Sequence, residues 1–171
     1  MMKLQKRTHD GLMTAPNLTH EMFIDVAFAV SPYLLYAGLK FDKPEYVDYA
    51  VFQTLKSFRI LEDEKTGLLH QGRGFQGEGV FSEDCWSRGN GWGAFALAIL
   101  ARDLPQAHPK RKEVVALAQQ FFKTVIKFQN KEGLWHQEMT AHESYIETSG
   151  SGLLLYGIGV MLESGLLEKI I

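Results

Sequence analysis

A single cysteine, Cys85, leaves no room for an internal disulfide framework and suits a reducing, cytoplasmic compartment. Basic runs are absent and the net charge is -2, so the field needed to grip a phosphate backbone is missing. Nucleic acid is therefore not an expected partner. No apolar run reaches the roughly 18 residues of a membrane helix, so no membrane partner is expected either. The start, Met1-Met2-Lys3-Leu4-Gln5-Lys6-Arg7, lacks the apolar stretch of a signal peptide. Convincing alternation with period 2 is also missing, so no sheet is called for. The six histidines show no metal-ligand spacing with nearby carboxylates, and Cys85 has no obvious base. No glycine loop stands between a strand and a helix to cradle phosphate. Neither a metal nor a cofactor is expected. What remains is 46% hydrophobic and 22% charged over 171 residues, the make-up of one globular domain with a core.

Two kinds of helix alternate along the chain. Met22–Leu39 is apolar on every side across Met22-Phe23-Ile24-Asp25-Val26-Ala27-Phe28-Ala29-Val30, which predicts a helix buried all round, kinked or restarted at Pro32. Pro44–Glu62 instead gathers Val47, Ala50, Val51, Leu55, Phe58 and Leu61 on one face, and Pro44 suits a first turn. Gly93–Leu100 is again apolar throughout, Glu113–Gln129 again amphipathic, and Leu153–Leu162 a third apolar helix. Gly67-Leu68-Leu69-His70-Gln71 recurs as Gly133-Leu134-Trp135-His136-Gln137, each copy following an amphipathic helix. Repeated units of this kind cannot bury their own faces alone. The expected fold is all-α, an inner ring of buried helices wrapped by an outer amphipathic ring. Periodicity leaves open whether such a ring closes as an α/α toroid or continues as a solenoid.

In a toroid, functional groups sit where loops enter the inner helices. The first entrance holds Asp25 among Phe23, Ile24, Val26 and Phe28. Such a carboxylate is either a cap or buried salt-bridge partner, or a general acid whose pKa is raised by apolar neighbours. The second entrance is Asp84-Cys85-Trp86-Ser87-Arg88-Gly89-Asn90-Gly91-Trp92. It reads either as a sugar site, with rings for stacking and a guanidinium fork, or as a loop packed by its own aromatics. Glu147-Thr148-Ser149-Gly150-Ser151-Gly152 reads as a helix-capping segment, with Thr148 and Ser149 as candidate pocket-lining hydroxyls. His70 is a candidate substrate contact, but its repeat partner His136 argues for a shared structural duty.

These motifs resemble the unsaturated glucuronyl and rhamnogalacturonyl hydrolases of glycoside hydrolase families 88 and 105, more closely family 105. The resemblance rests on Phe23-Ile24-Asp25 with Pro32-Tyr33-Leu34, on Trp86-Ser87-Arg88-Gly89-Asn90-Gly91-Trp92, and on Glu147–Gly152 with Tyr156-Gly157-Ile158. It runs from about Arg7 to the end of the chain. It implies an (α/α)6 barrel, of which residues 1–171 would form about half, truncated at both ends. It also implies an oligosaccharide substrate with a terminal unsaturated uronic acid, whose C4=C5 double bond is hydrated. Asp25 matches the proton-donating aspartate, His70, Arg88 and Trp92 match sugar-contacting residues, and Trp86 belongs to the same motif. Two departures stand out. The family's second active-site aspartate lies upstream of the match to Asp25, and the family's glycine, tryptophan and aspartate after the histidine are here Gln71-Gly72-Arg73. The competing expectation is a non-catalytic carbohydrate-binding or interaction module on the same scaffold. A half-ring would leave apolar faces uncovered, which predicts self-association or docking with a complementary fragment.

Overall fold

The computed structural model describes residues 6–14, 18 and 20–168. The expectations placed on residues 1–5 and 169–171 lie outside the described residues. Five helices carry most of the chain: α1 (Asp25–Phe41), α2 (Pro44–Leu61), α3 (Ser87–Asp103), α4 (Arg111–Ile126) and α5 (Thr148–Glu163). α3 lies in the middle, packed against both α1 and α5, while α2 lies against α1 and α4 against α3. The inner and outer elements thus alternate as their hydrophobic patterns predict.

The outer helices bury one stripe each. In α2 this includes Val47, Ala50, Val51, Leu55, Phe58 and Leu61, and Pro44 opens the helix, where a missing N–H costs nothing. In α4 it is Val114, Ala118, Phe121, Phe122 and Val125. The Phe58 and Phe121 rings meet edge to face at 5.0 Å, joining the two stripes. α3 is buried on nearly every side, with Ala94, Ala96, Leu97, Ala98, Leu100 and Ala101 fully enclosed. Small residues let its neighbours approach. A Cβ on Gly91 would fall 2.8 Å from the Leu153 Cβ, and one on Gly157 would fall 2.8 Å from the Phe122 ring.

Several expectations need correction. α1 and α5 are not buried all round. Tyr33 is 59% and Tyr36 44% exposed on α1, and Leu155 is 44% and Tyr156 45% exposed on α5. α1 packs on α2 and α3, and α5 packs on α3, so the side of each that is turned away from these neighbours stays open. α1 also begins later than its apolar run, because Met22–Phe23 form a strand, β1, antiparallel to β2 (Gly72–Arg73). This ladder is too short to leave a period-2 signature, yet it ties the entrance of α1 to the chain leaving the first repeat. Pro32 lies inside α1 without ending it. α3 and α5 begin earlier than expected, so Arg88 and Trp92 stand on the first two turns of a helix rather than in a loop. No helix among the described residues is long and apolar enough to cross a membrane.

Candidate active site

The N-terminal ends of α1, α3 and α5 carry most of the candidate side chains, and the repeat segments brace them. In the first repeat, Gly67 adopts a φ of 72°, and His70 N–H donates to Leu61 O at 2.8 Å, turning the chain back along the end of α2. Asn90 of α3 then brackets Leu69, accepting from its N–H at 2.8 Å and donating to its carbonyl at 2.9 Å. The second repeat is held likewise, with Trp135 N–H donating to Ser151 Oγ of α5 at 2.9 Å. Successive side chains of the extended segment 69–71 point to opposite sides. Leu69 enters the core, His70 faces away, and Gln71 turns towards α1.

Asp25 occupies the first turn of α1 and is partly buried. Ile24 N–H donates to Gln71 O at 3.1 Å, next to the Phe23–Gly72 pairing, which sets Gln71 beside the helix start. There the Gln71 Nε2 donates to Asp25 Oδ2 at 2.7 Å. Burial pushes the Asp25 carboxyl above its ordinary pKa, against the opposing pull of its own backbone amide, of Gln71 and of the Arg88 charge. Burial also pushes the Cys85 thiol up to about 12, assisted by the Glu138 carboxylate, so it is a poor nucleophile.

Arg88 and Trp86 form a stacked pair at the start of α3, with the guanidinium carbon 4.1 Å from the ring centre. The Arg88 Nε is buried and has no hydrogen-bond partner. Among the described residues no ion pair joins Arg88 to a carboxylate, although its charge lowers the pKa of both Asp25 and Glu147. Trp92, one turn further on, lies 4.3 Å from the Phe28 ring of α1. Phe28 in turn meets Phe95, and Phe95 stacks on Tyr156 of α5 at 4.9 Å. These partly exposed rings run across the inner helices and give the site an aromatic wall.

Glu147 caps α5 by accepting from Ser149 N–H and Gly150 N–H, and Ser149 Oγ donates to it at 2.6 Å. The capping segment behaves as its sequence suggests, though the acceptor is Glu147 rather than a hydroxyl. Burial works to raise the Glu147 pKa, but the Ser149 hydroxyl, the two amides and Arg88 together hold it below its ordinary value. Thr148 and Ser149 are both exposed on the first turn, and the Ser149 hydroxyl is engaged in the cap.

His70 and His136 share the structural duty that their repetition suggests. The His70 Nδ1 meets Ser82 O at 2.7 Å and the His136 Nδ1 meets Ser144 O at 2.5 Å. A carbonyl only accepts, so each Nδ1 carries the proton. His70 Nε2 lies 3.6 Å from Asp63 Oδ2, and its ring stacks with Phe81. The structure thus brings Asp25, Arg88 and Gln71 together, with Trp92 beside the first turn of α1, while the hydrogen bonds of His70 run to the neighbouring loop. Gln71, which the sequence marks only as a departure from the family pattern, and Glu147, marked only as part of a capping segment, make contacts that the sequence does not assign to them. Among the described residues no group of three or more His, Cys, Asp or Glu is placed to hold a metal.

This arrangement of three inner helix ends has close counterparts. Residues 1–170 match the family model described as Glycosyl Hydrolase Family 88, and the chain belongs to that family. Over 155 residues it is 26% identical to an unsaturated 3S-rhamnoglycuronyl hydrolase of Formosa agariphila, covering 85% of this chain and 41% of that protein. It is 22% identical to an unsaturated rhamnogalacturonyl hydrolase of Bacillus subtilis, covering 77% of this chain and 38% of that one. A solved structure from Salmonella enterica, described as a possible member of the GH105 family, superposes with a TM-score of 0.85 at 28% identity. That match covers 98% of this chain and 46% of the solved one. A family 105 glycoside hydrolase from C. acetobutylicum gives 0.89 at 22% identity, covering 98% of this chain and 50% of its own. The fold is therefore that of about half an (α/α)6 toroid, as expected. The chain spans about two fifths of the length of these two curated relatives.

Proposed function

We propose that this chain carries the acid of a hydrolase that removes a terminal unsaturated uronic acid from lyase-generated oligosaccharides. The carrying observation is Asp25: a carboxyl at an inner helix end, biased by burial towards its protonated form and near the Arg88 guanidinium, whose buried Nε has no hydrogen-bond partner. The names of the relatives, unsaturated rhamnoglycuronyl and rhamnogalacturonyl hydrolases, supply the substrate class.

In this reading Asp25 gives its proton to C4 of the C4=C5 double bond. Water adds its hydroxyl at C5 and returns a proton to the Asp25 carboxylate, restoring the acid. The hemiketal at C5 opens to a ketone, with the ring oxygen taking a proton. C1 then holds a hydroxyl beside the glycosidic oxygen and collapses to an aldehyde, releasing the neighbouring sugar as an alcohol. The balance is one water consumed per bond cleaved. Arg88 binds the uronate carboxylate or a hydroxyl pair, and its planar fork suits either. Trp92 offers a ring face to the sugar, with Trp86, Thr148 and Ser149 lining the pocket and His70 supporting its edge. A reducing, cytoplasmic setting agrees with the single buried thiol of Cys85.

The test is the ultraviolet absorbance of the conjugated double bond in unsaturated disaccharides. The reading expects that absorbance to fall as a new reducing sugar appears in equal amount. Cleavage that leaves the double bond intact would contradict it.

A further inference from the structure

The Gln71 amide is held in an arrangement that packing alone does not favour. Its Nε2 donates to Asp25 Oδ2 at 2.7 Å, while its Oε1 is buried without a hydrogen-bond partner. A buried acceptor left unpaired keeps its desolvation cost with no bond to offset it. The Oε1 lies against Gly89, on the first turn of α3, where a Cβ would overlap it and would come within 3.2 Å of the Gln71 Cδ. Backbone pairing leaves the residue little freedom to move away, because Gln71 O accepts from Ile24 N–H and Gly72 pairs with Phe23. A hydrocarbon side chain of similar length would fill this slot with no unpaired atom.

We propose that Gln71 is the positioning residue of Asp25, its amide holding Oδ2 so that the proton is exchanged with substrate through Oδ1. The role rests on the reading of Asp25 as the proton donor. An amide carries a donor and an acceptor on one rigid plane. With Asp25 ionised, Oδ2 accepts from Nε2 across the 2.7 Å contact. With Asp25 protonated on Oδ1, Oδ2 is the carbonyl oxygen of the acid and still accepts from Nε2. Both protonation states of the cycle therefore find a partner in the same side chain, without movement of the backbone.

Among the described residues, few charged groups surround Asp25. From α3 the Arg88 guanidinium faces it, and from α5 Glu147 faces Arg88 in turn. On the β2 side, Arg73 is paired with Asp10. Gln71 is the neutral partner among these, so replacing it leaves the local charge unchanged.

The experiment uses Gln71→Met, which keeps length and removes the amide, and follows the Asp25 side-chain carboxyl by carbon NMR, identified by its loss in Asp25→Asn. Removing a donor to the ionised form should raise the titration midpoint by about one pH unit. The alkaline limb of the pH–rate profile should move with it, with kcat falling about tenfold and KM little changed. Thermal stability should be equal or higher, because an unpaired acceptor has been removed. Gly89→Ala, which expels the amide from its slot, should reproduce the midpoint shift if Gln71→Met folds poorly. An unchanged midpoint in folded variants of both kinds would overturn the proposal, and so would a stability loss with kcat intact. A shifted midpoint, with hydration unaffected in both Gln71→Met and Asp25→Asn, would instead remove Asp25 as the acid and leave only the side-chain pairing.

Discussion

The Asn90 side chain brackets the backbone of Leu69, taking its N–H at 2.8 Å and its carbonyl at 2.9 Å, with both residues fully or almost fully buried. This clamp fixes the segment that sets Gln71 beside Asp25 and turns His70 to the neighbouring loop. Asn90→Ala would leave both backbone groups without partners in the core. Each such loss costs about 1–3 kcal/mol, so the variant should be destabilised by about 2–6 kcal/mol in chemical denaturation. A change below about 1 kcal/mol would mean that the segment is held by other contacts.

Two glycines of α5 make a matched pair. A Cβ on Gly150 would lie 2.6 Å from Arg88 N and 2.7 Å from Ser87 C, both backbone atoms, whereas one on Gly152 meets nothing within 4 Å. Gly150→Ala should therefore cost about 1–3 kcal/mol by forcing α5 away from α3. Gly152→Ala should be neutral or stabilising by up to about 1 kcal/mol, through helix propensity. Thermal melts of the two variants should move in opposite directions, or only the first should fall.

Glu147 is held below its ordinary pKa as the cap of α5, so its contribution has a defined pH dependence. A carboxylate whose folded pKa is lowered stabilises above the unfolded value and loses that effect as pH falls through the folded value. Glu147→Ala should cost about 0.5–2 kcal/mol near neutral pH. The gap between variant and parent should close in acid, below the ordinary glutamate range. A gap independent of pH would point to packing rather than charge.

Arg88 and Trp92 are assigned to recognition rather than chemistry. Arg88→Ala and Trp92→Ala should weaken binding of an unsaturated disaccharide in calorimetry, each by about 1–3 kcal/mol. Arg88→Lys should not restore it fully, because an ammonium cannot reproduce the planar fork or its stacking on Trp86. Unchanged affinity in both alanine variants would make this end of α3 a structural element.

The helical order could be read from the sequence because each inner helix is apolar throughout and each outer one carries a single stripe. The start of α3 could not. Gly89, Asn90 and Gly91 are poor helix formers, and local propensity placed them in a loop. The structure shows what overrides that preference: Gly89 makes room for Gln71, Gly91 for Leu153, and Asn90 holds Leu69. Asp25 stood out as a carboxylate in an apolar run. Its partner Gln71 did not, because a two-residue ladder sets their register and leaves no periodic trace. Repetition suggests a shared duty for the two histidines, which their matching Nδ1 bonds display, while the resemblance marks His70 as a sugar contact.

The central claim is that Asp25 supplies the proton to C4. The deciding measurement is the initial rate of double-bond absorbance loss for Asp25→Asn against the parent, in the same protein and at the same pH. Burial raises the Asp25 pKa, and a carboxyl with a raised folded pKa loses stability as pH rises through that value. The neutral asparagine should therefore fold at least as well near neutral pH. The account predicts a folded, sugar-binding variant whose rate falls by about 10²–10⁴-fold. A folded Asp25→Asn protein that clears the absorbance at near the parental rate would contradict it.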